Sequence, residues 1–234
     1  MNAHDTAGNG NNSGNARTGG AGPRRSRILV LGATGGMGRL IVRQALARGH
    51  DVHALVRSPD KAAGLEGASI SVADARDERA LRRALQGRDA VVSALGTPVS
   101  PWRDVTVLSS ATRSLVAAMQ AEGVRRLVCV TGMGAGDSAG HGGFVFDRLI
   151  LPLLLRKVYA DKDRQETLVR ESGLDWVLVR PSVLNDKAPG PAVRALTDLS
   201  GFHGGTIARA DAAAFVLDQV EGNAWLHRSP LISW

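Results

Sequence analysis

From residue 26 onward the chain alternates short apolar runs with longer stretches of helical period. Runs at 27–31, 51–56, 69–72, 90–95, 127–131 and 176–179 have the length and continuity of strands buried on both faces. Stretches at 38–48, 77–85, 105–122, 146–171 and 210–220 repeat their apolar positions at helical spacing, and Gly49, Gly123 and Gly173 close three of them. Short buried strands separated by helices pair in parallel through crossovers. The pattern therefore predicts one α/β domain over residues 25–234, a doubly wound parallel sheet with substrate loops in its C-terminal part. Residues 1–24 differ in kind: they are mostly Gly, Asn, Ala, Ser and Thr, with no large apolar residue after Met1. Such a stretch cannot offset its ordering entropy and is predicted to be a disordered tail. Arg24-Arg25 precedes only four apolar residues, too few for an export signal.

The first strand runs straight into Gly32-Ala33-Thr34-Gly35-Gly36-Met37-Gly38, which opens a helix. That context makes the turn a candidate dinucleotide site. Gly32 permits the sharp turn, Gly35 lets the backbone approach a pyrophosphate, and Gly38 lets helix pack closely on strand. The helix N-terminus adds a partial positive charge for phosphate, and Thr34, Gly36 and Met37 complete the turn. At the end of the second strand an NAD binder places an acidic residue against the ribose; here Arg57-Ser58 stand instead. Arg57 suits a 2′-phosphate, with Ser58, Lys61 or Arg39 assisting. NADP(H) is accordingly expected over NAD(H).

Composition narrows the class. The single cysteine, Cys129, lies in an apolar strand. That excludes an internal disulfide and a cysteine-based zinc cluster, no metal site is expected, and a reducing cytoplasm is implied. No apolar stretch approaches the roughly 20 residues of a membrane span, so no membrane partner is expected. The net charge is +7, yet aromatic residues make up only 4% and the arginines form no stripe. Without stacking platforms nucleic acid is not an expected partner; an anionic small molecule uses the same charge. Oligomeric state stays open, with a homodimer as one candidate.

Beyond the glycine turn, further patches accumulate. They are Leu55-Val56-Arg57, Ala73-Asp74-Ala75, Asp89 to Gly96, Val130-Thr131-Gly132, Leu168 to Leu174, and Trp176 to Pro181. Together they resemble the atypical short-chain dehydrogenase/reductase proteins, the NmrA-like and flavin reductase (biliverdin reductase B)-like group, from Arg27 to about Val220. The resemblance implies a Rossmann fold. It places Asp74 and Ala75 beside the adenine, and Ala94, Leu95 and Gly96 along the ribose and nicotinamide side. Thr131 faces the nicotinamide ribose, and Pro181 and Ser182 lie by the carboxamide.

Short-chain dehydrogenases pair a tyrosine with a lysine four residues on, plus a serine. Here the only tyrosine is Tyr159, Asp163 stands four on, the lysine is Lys162, and Gly132 with Thr131 occupies the serine's neighbourhood. Spacings of three and four share a helix face, so Tyr159, Lys162 and Thr131 remain the catalytic candidates, with Lys162 also a ribose contact. Flavin and biliverdin reductase relatives do without that pair and act by positioning. The expected function is an NADPH-dependent oxidoreductase passing hydride to a small conjugated acceptor such as a quinone or flavin. The alternatives are a non-catalytic NADP(H) sensor of NmrA-like type, or a short-chain-fold epimerase or dehydratase. The glycine-rich stretch 134–143 reads as a flexible substrate lid carrying His141. The apolar stretch 144–158 reads as a core helix, a pocket wall or a partner surface, and the loop 98–102 as a further pocket wall. The segment after Val220 has no assigned role.

Overall fold

The structure is a computed structural model that describes residues 25–97, 105–190 and 192–234. The expected N-terminal tail and the loop 98–102 lie outside the described residues.

The elements follow in the order β1 (Arg27–Leu31), α1 (Gly36–Ala47), β2 (Asp51–Val56), β3 (Ser69–Val72), α2 (Glu78–Leu85), β4 (Ala90–Ser93), α3 (Val107–Glu122) and β5 (Arg126–Val130). A wide helical segment, Phe146–Leu155, then leads into α4 (Arg156–Arg170) and β6 (Asp175–Pro181). Three short strands, β7 (Val183–Asn185), β8 (Arg194–Leu196) and β9 (Thr206–Ala208), precede α5 (Arg209–Glu221) and β10 (Leu231–Ser233). Among the described residues the main sheet runs β3-β2-β1-β4-β5-β6-β10-β8, and β7 pairs with β9 separately. Every pairing is parallel except β10 with β8, an antiparallel edge that the helix–strand alternation did not announce.

Strand alternation sorts the core onto two faces. Ile28 and Val30 of β1 pack with Ile41 of α1 and Val216 of α5. Leu29 and Leu31 pack the other way, with Leu81 of α2, Leu115 of α3 and Val169 of α4. Helices thus cover both faces, as a doubly wound Rossmann fold requires. The chain reverses strand order beside β1, so the crevice between the carboxyl ends of β1 and β4 is where such sheets bind ligands. The C-terminal segment belongs to the sheet: β10 lies beside β6, and the Trp234 indole donates to Asp211 of α5 at 2.8 Å.

Candidate functional site

The glycine turn has the geometry its residues dictate. Gly32 has φ +76°, and a β-carbon there would fall 2.3 Å from the Ala94 carbonyl oxygen. A β-carbon on Gly38 would fall 2.1 Å from the Gly32 carbonyl oxygen, so only glycine lets α1 start against β1. A cleft of about 370 Å³ opens above the turn. Gly32, Thr34, Gly35, Arg57, Asp74, Ala75, Ala94, Leu95 and Gly96 line it. Three of the turn's predicted residues do not. Met37 is buried in the core, Gly38 is spent on packing, and Gly36 faces the side chain of Arg209, whose Cδ and Nε lie 3.5 Å from its would-be β-carbon.

Charge at the far end of the cleft is arranged by Arg57, Asp74 and Arg76. Arg76 grips Asp74 with two side-chain bonds, at 2.9 and 2.7 Å, and a backbone bond at 2.9 Å. Those bonds hold the Asp74 carboxyl down at about 2, with Arg57 adding a smaller push in the same direction. Asp74 is therefore ionised and already neutralised by Arg76, while the exposed Arg57 makes no hydrogen bond or ion pair among the described residues and faces the same space. Arg39, expected to assist there, is turned away: it donates to the backbone carbonyls of Thr34, Lys61 and Ala63, tying α1 to the loop after β2.

A second cavity of about 280 Å³ follows along the carboxyl edge of the sheet, over β5 and β6. Thr131, Gly132, Met133, Phe146, Tyr159, Lys162, Pro181, Ser182 and Val183 line it. The three catalytic candidates meet here in unequal states. The Lys162 ammonium donates to the Thr131 carbonyl at 2.7 Å and lies 4.8 Å from the Tyr159 ring centre. Burial pushes its pKa down to about 8, against the opposing pull of the nearby Glu166 carboxylate. The Tyr159 hydroxyl donates to the Met133 carbonyl at 2.8 Å, and burial, with Asp147 and Asp163 nearby, pushes the phenol up to about 12. Lysine thus faces the phenol's ring and does not activate its oxygen. The Thr131 hydroxyl points the other way, donating to Glu166 at 2.8 Å.

Glu166 anchors a network that sequence reading missed. It is fully buried and accepts from Arg180 at 2.9 and 2.6 Å and from Arg170 at 3.1 Å. Arg180, itself buried, also pairs with Asp137. A signal existed: an arginine inside the apolar run of β6 must find a buried partner. The loop 134–143, expected as a lid, is hydrogen-bonded within itself, to α4 and to the segment before β9. Gly136 N–H donates to Asp163, Gly134 N–H to the buried Ser138 hydroxyl, and His141 contacts the Phe202 carbonyl. Cys129 is buried beneath the cavity, its thiol pushed up to about 12, and is chemically inert.

The two hollows fit a dinucleotide. The first offers a turn whose Gly32 and Gly35 line the cleft without side chains, and a helix N-terminus. The second contains the Ser182 hydroxyl, buried and without a hydrogen-bond partner among the described residues, as a polar ligand would leave it.

Comparison with known proteins agrees. A relative named an uncharacterized sugar epimerase, YhfK of Bacillus subtilis, is 27% identical over 202 residues, 83% of this chain and 88% of that protein. The (4-alkanoyl-5-oxo-2,5-dihydrofuran-3-yl)methyl phosphate reductase of Streptomyces griseus is 30% identical over 181 residues. That match takes in 76% of this chain but only 55% of the reductase, so the chain spans about half its length. Among solved structures, the anaerobilin reductase ChuY of Escherichia coli O157:H7 superposes with a TM-score of 0.76 at 23% identity, covering 89% of this chain and 97% of its own; that likeness establishes the fold. Residues 32–223, from the first glycine of the turn to just beyond α5, match the NAD(P)H-binding family, and the chain belongs to it.

Proposed function

We propose that the protein is an NADPH-dependent reductase of a small, planar, conjugated acceptor such as a quinone or a flavin. The reductase among its relatives supports the reaction class. Arg57, beside an Asp74 that Arg76 already neutralises, supports NADPH over NADH, because an added 2′-phosphate would meet a net positive surface. Gly32, Thr34 and Gly35 would take the pyrophosphate, Asp74 and Ala75 the adenosine end, and Ala94, Leu95 and Gly96 the ribose side. Pro181 and Ser182 would meet the carboxamide, with the unpartnered Ser182 hydroxyl as the donor. NADPH, when bound, supplies hydride.

The residues of this chain supply position and a proton. One observation carries this reading: Lys162 sits at the floor of the second cavity with its ammonium desolvated to a pKa of about 8. One N–H is held by the Thr131 carbonyl, leaving two for the nicotinamide ribose and the reduced acceptor. Lys162 thereby delivers the proton that completes a two-electron reduction. Tyr159, its hydroxyl committed to Met133 and its phenol raised, forms the aromatic wall against which a flat acceptor packs. Thr131 acts as a positioning residue, through its carbonyl on Lys162 and its hydroxyl on Glu166. The test is loss of NADPH absorbance against a panel of quinones, flavins and simple aldehydes. Turnover of the conjugated acceptors and not of the aldehydes is expected. NADPH binding with no turnover of any acceptor would favour the sensor reading instead.

A further inference from the structure

The helical segment Phe146–Leu155 is apolar on two sides. Its inner side closes the second cavity: Phe146 meets Tyr159 edge-on with ring centres 5.9 Å apart, and Leu151 lies against Gly134. Its outer side, with the two residues before it, faces solvent. Phe144 is 77% exposed, Leu153 68%, Val145 59%, and Leu149 and Leu154 51% each. Exposed apolar side chains scattered singly need no explanation, but a cluster on one short segment marks a surface built for a partner. A helix apolar all round is stable only when both sides are covered.

The charges around the patch select its occupant. Arg148 and Arg156 are exposed, make no ion pair among the described residues, and stand within and just after the apolar cluster, while Asp147 is the only acid in the segment 144–157. Two copies meeting face to face would bring like guanidinium groups together. The tail 1–24 has no large apolar residue after Met1 with which to cover the patch. An apolar cluster set among arginines, on a chain of net charge +7, has the amphipathic make-up of segments that lie in the interface of an anionic bilayer. Nor does any helix of the described residues reach the length and apolarity of a span, so attachment would be peripheral.

We propose that the 144–155 segment docks this protein on the surface of an anionic membrane, Phe144, Leu149, Leu153 and Leu154 entering the headgroup–acyl boundary and Arg148 and Arg156 meeting lipid phosphates. The second cavity, walled by Phe146 and the half-exposed Val183, would then lie directly behind the docked segment. That consequence rests on the reductase reading and suits an acceptor dissolved in the bilayer; the docking itself does not depend on catalysis.

The experiment is co-sedimentation of the full chain with mixed phosphatidylglycerol–phosphatidylcholine vesicles and with pure phosphatidylcholine. We expect sedimentation with the anionic vesicles only, weakened by salt and reduced about tenfold or more in a Leu153→Ser/Leu154→Ser variant. A second variant, Arg148→Glu/Arg156→Glu, should lose binding while keeping the apolar face. NADPH affinity equal to the parent's certifies both variants as folded. Failure to sediment with anionic vesicles, or sedimentation indifferent to the serine pair, would overturn the proposal. A dimer in solution that the serine pair dissociates would overturn it too, assigning the patch to a second copy. Because no turnover is read, failure here leaves the reductase reading standing.

Discussion

The Lys162 ammonium fills the space that a side chain at residue 132 would need: a β-carbon built on Gly132 falls 2.9 Å from Nζ. Gly132 also has φ +150°, a backbone conformation that side chains rarely adopt. The missing serine of the short-chain pattern is thus a position handed to the lysine, whose Nζ is anchored on the Thr131 carbonyl next door. Gly132→Ser should not restore a serine-assisted enzyme. It is expected to lower stability by about 1–3 kcal/mol and to displace Lys162, read as a fall in Tm with loss of turnover.

Lys162 and Tyr159 should separate under mutation. Lys162→Met is expected to cut kcat about 100-fold or more, the usual worth of a positioned acid. Tyr159→Phe removes one hydrogen bond to Met133 and should cost about 1 kcal/mol of stability with kcat largely kept. The pH profile gives the sign: a lysine acting as acid works while protonated, so kcat should hold below about pH 8 and fall above it. A decline that begins only near pH 12, where the Tyr159 phenol ionises, would return the role to tyrosine.

Glu166 and Arg180 are both buried and bonded to each other at 2.9 and 2.6 Å, with the largely exposed Asp137 as the second partner of Arg180 and Arg170 as the second partner of Glu166. Glu166→Gln should destabilise the fold by about 3 kcal/mol, because the buried Arg180 charge keeps only the largely exposed Asp137 as a carboxylate partner, measured by urea unfolding. A Glu166→Gln/Arg180→Met double variant should recover a large part of that loss.

Much of the fold was legible because local rules and tertiary demands coincide. The bounds of β1, β2 and β3 fall where the apolar runs 27–31, 51–56 and 69–72 lie. The glycine turn was legible because its backbone admits no other residue at Gly32 or Gly38. By contrast β7, β8, β9 and β10 are three residues each, too short to show alternation, and exist through pairing across distant sequence. Charged groups were the least readable. Arg209 is far from Gly36 in the chain and reaches it only through the fold, whereas the grip of Arg76 on Asp74 is local, between residues two apart.

Arg209 opens a further prediction. It lies beside the phosphate turn and is held at 2.7 Å by the exposed Asp186. A pyrophosphate at the turn would compete with Asp186 for that guanidinium. Arg209→Met should weaken NADPH binding roughly tenfold, the scale of one charge-assisted hydrogen bond. Asp186→Asn should strengthen binding, and both effects should shrink with added salt.

The most direct measurement is an equilibrium titration of the parent and of Arg57→Ala with NADPH and NADH, followed by nicotinamide fluorescence. The account predicts NADPH binding about tenfold or more tighter than NADH in the parent, with the preference abolished by the substitution while NADH affinity is unchanged. Equal affinity for the two nucleotides, or a preference that survives Arg57→Ala, would contradict it.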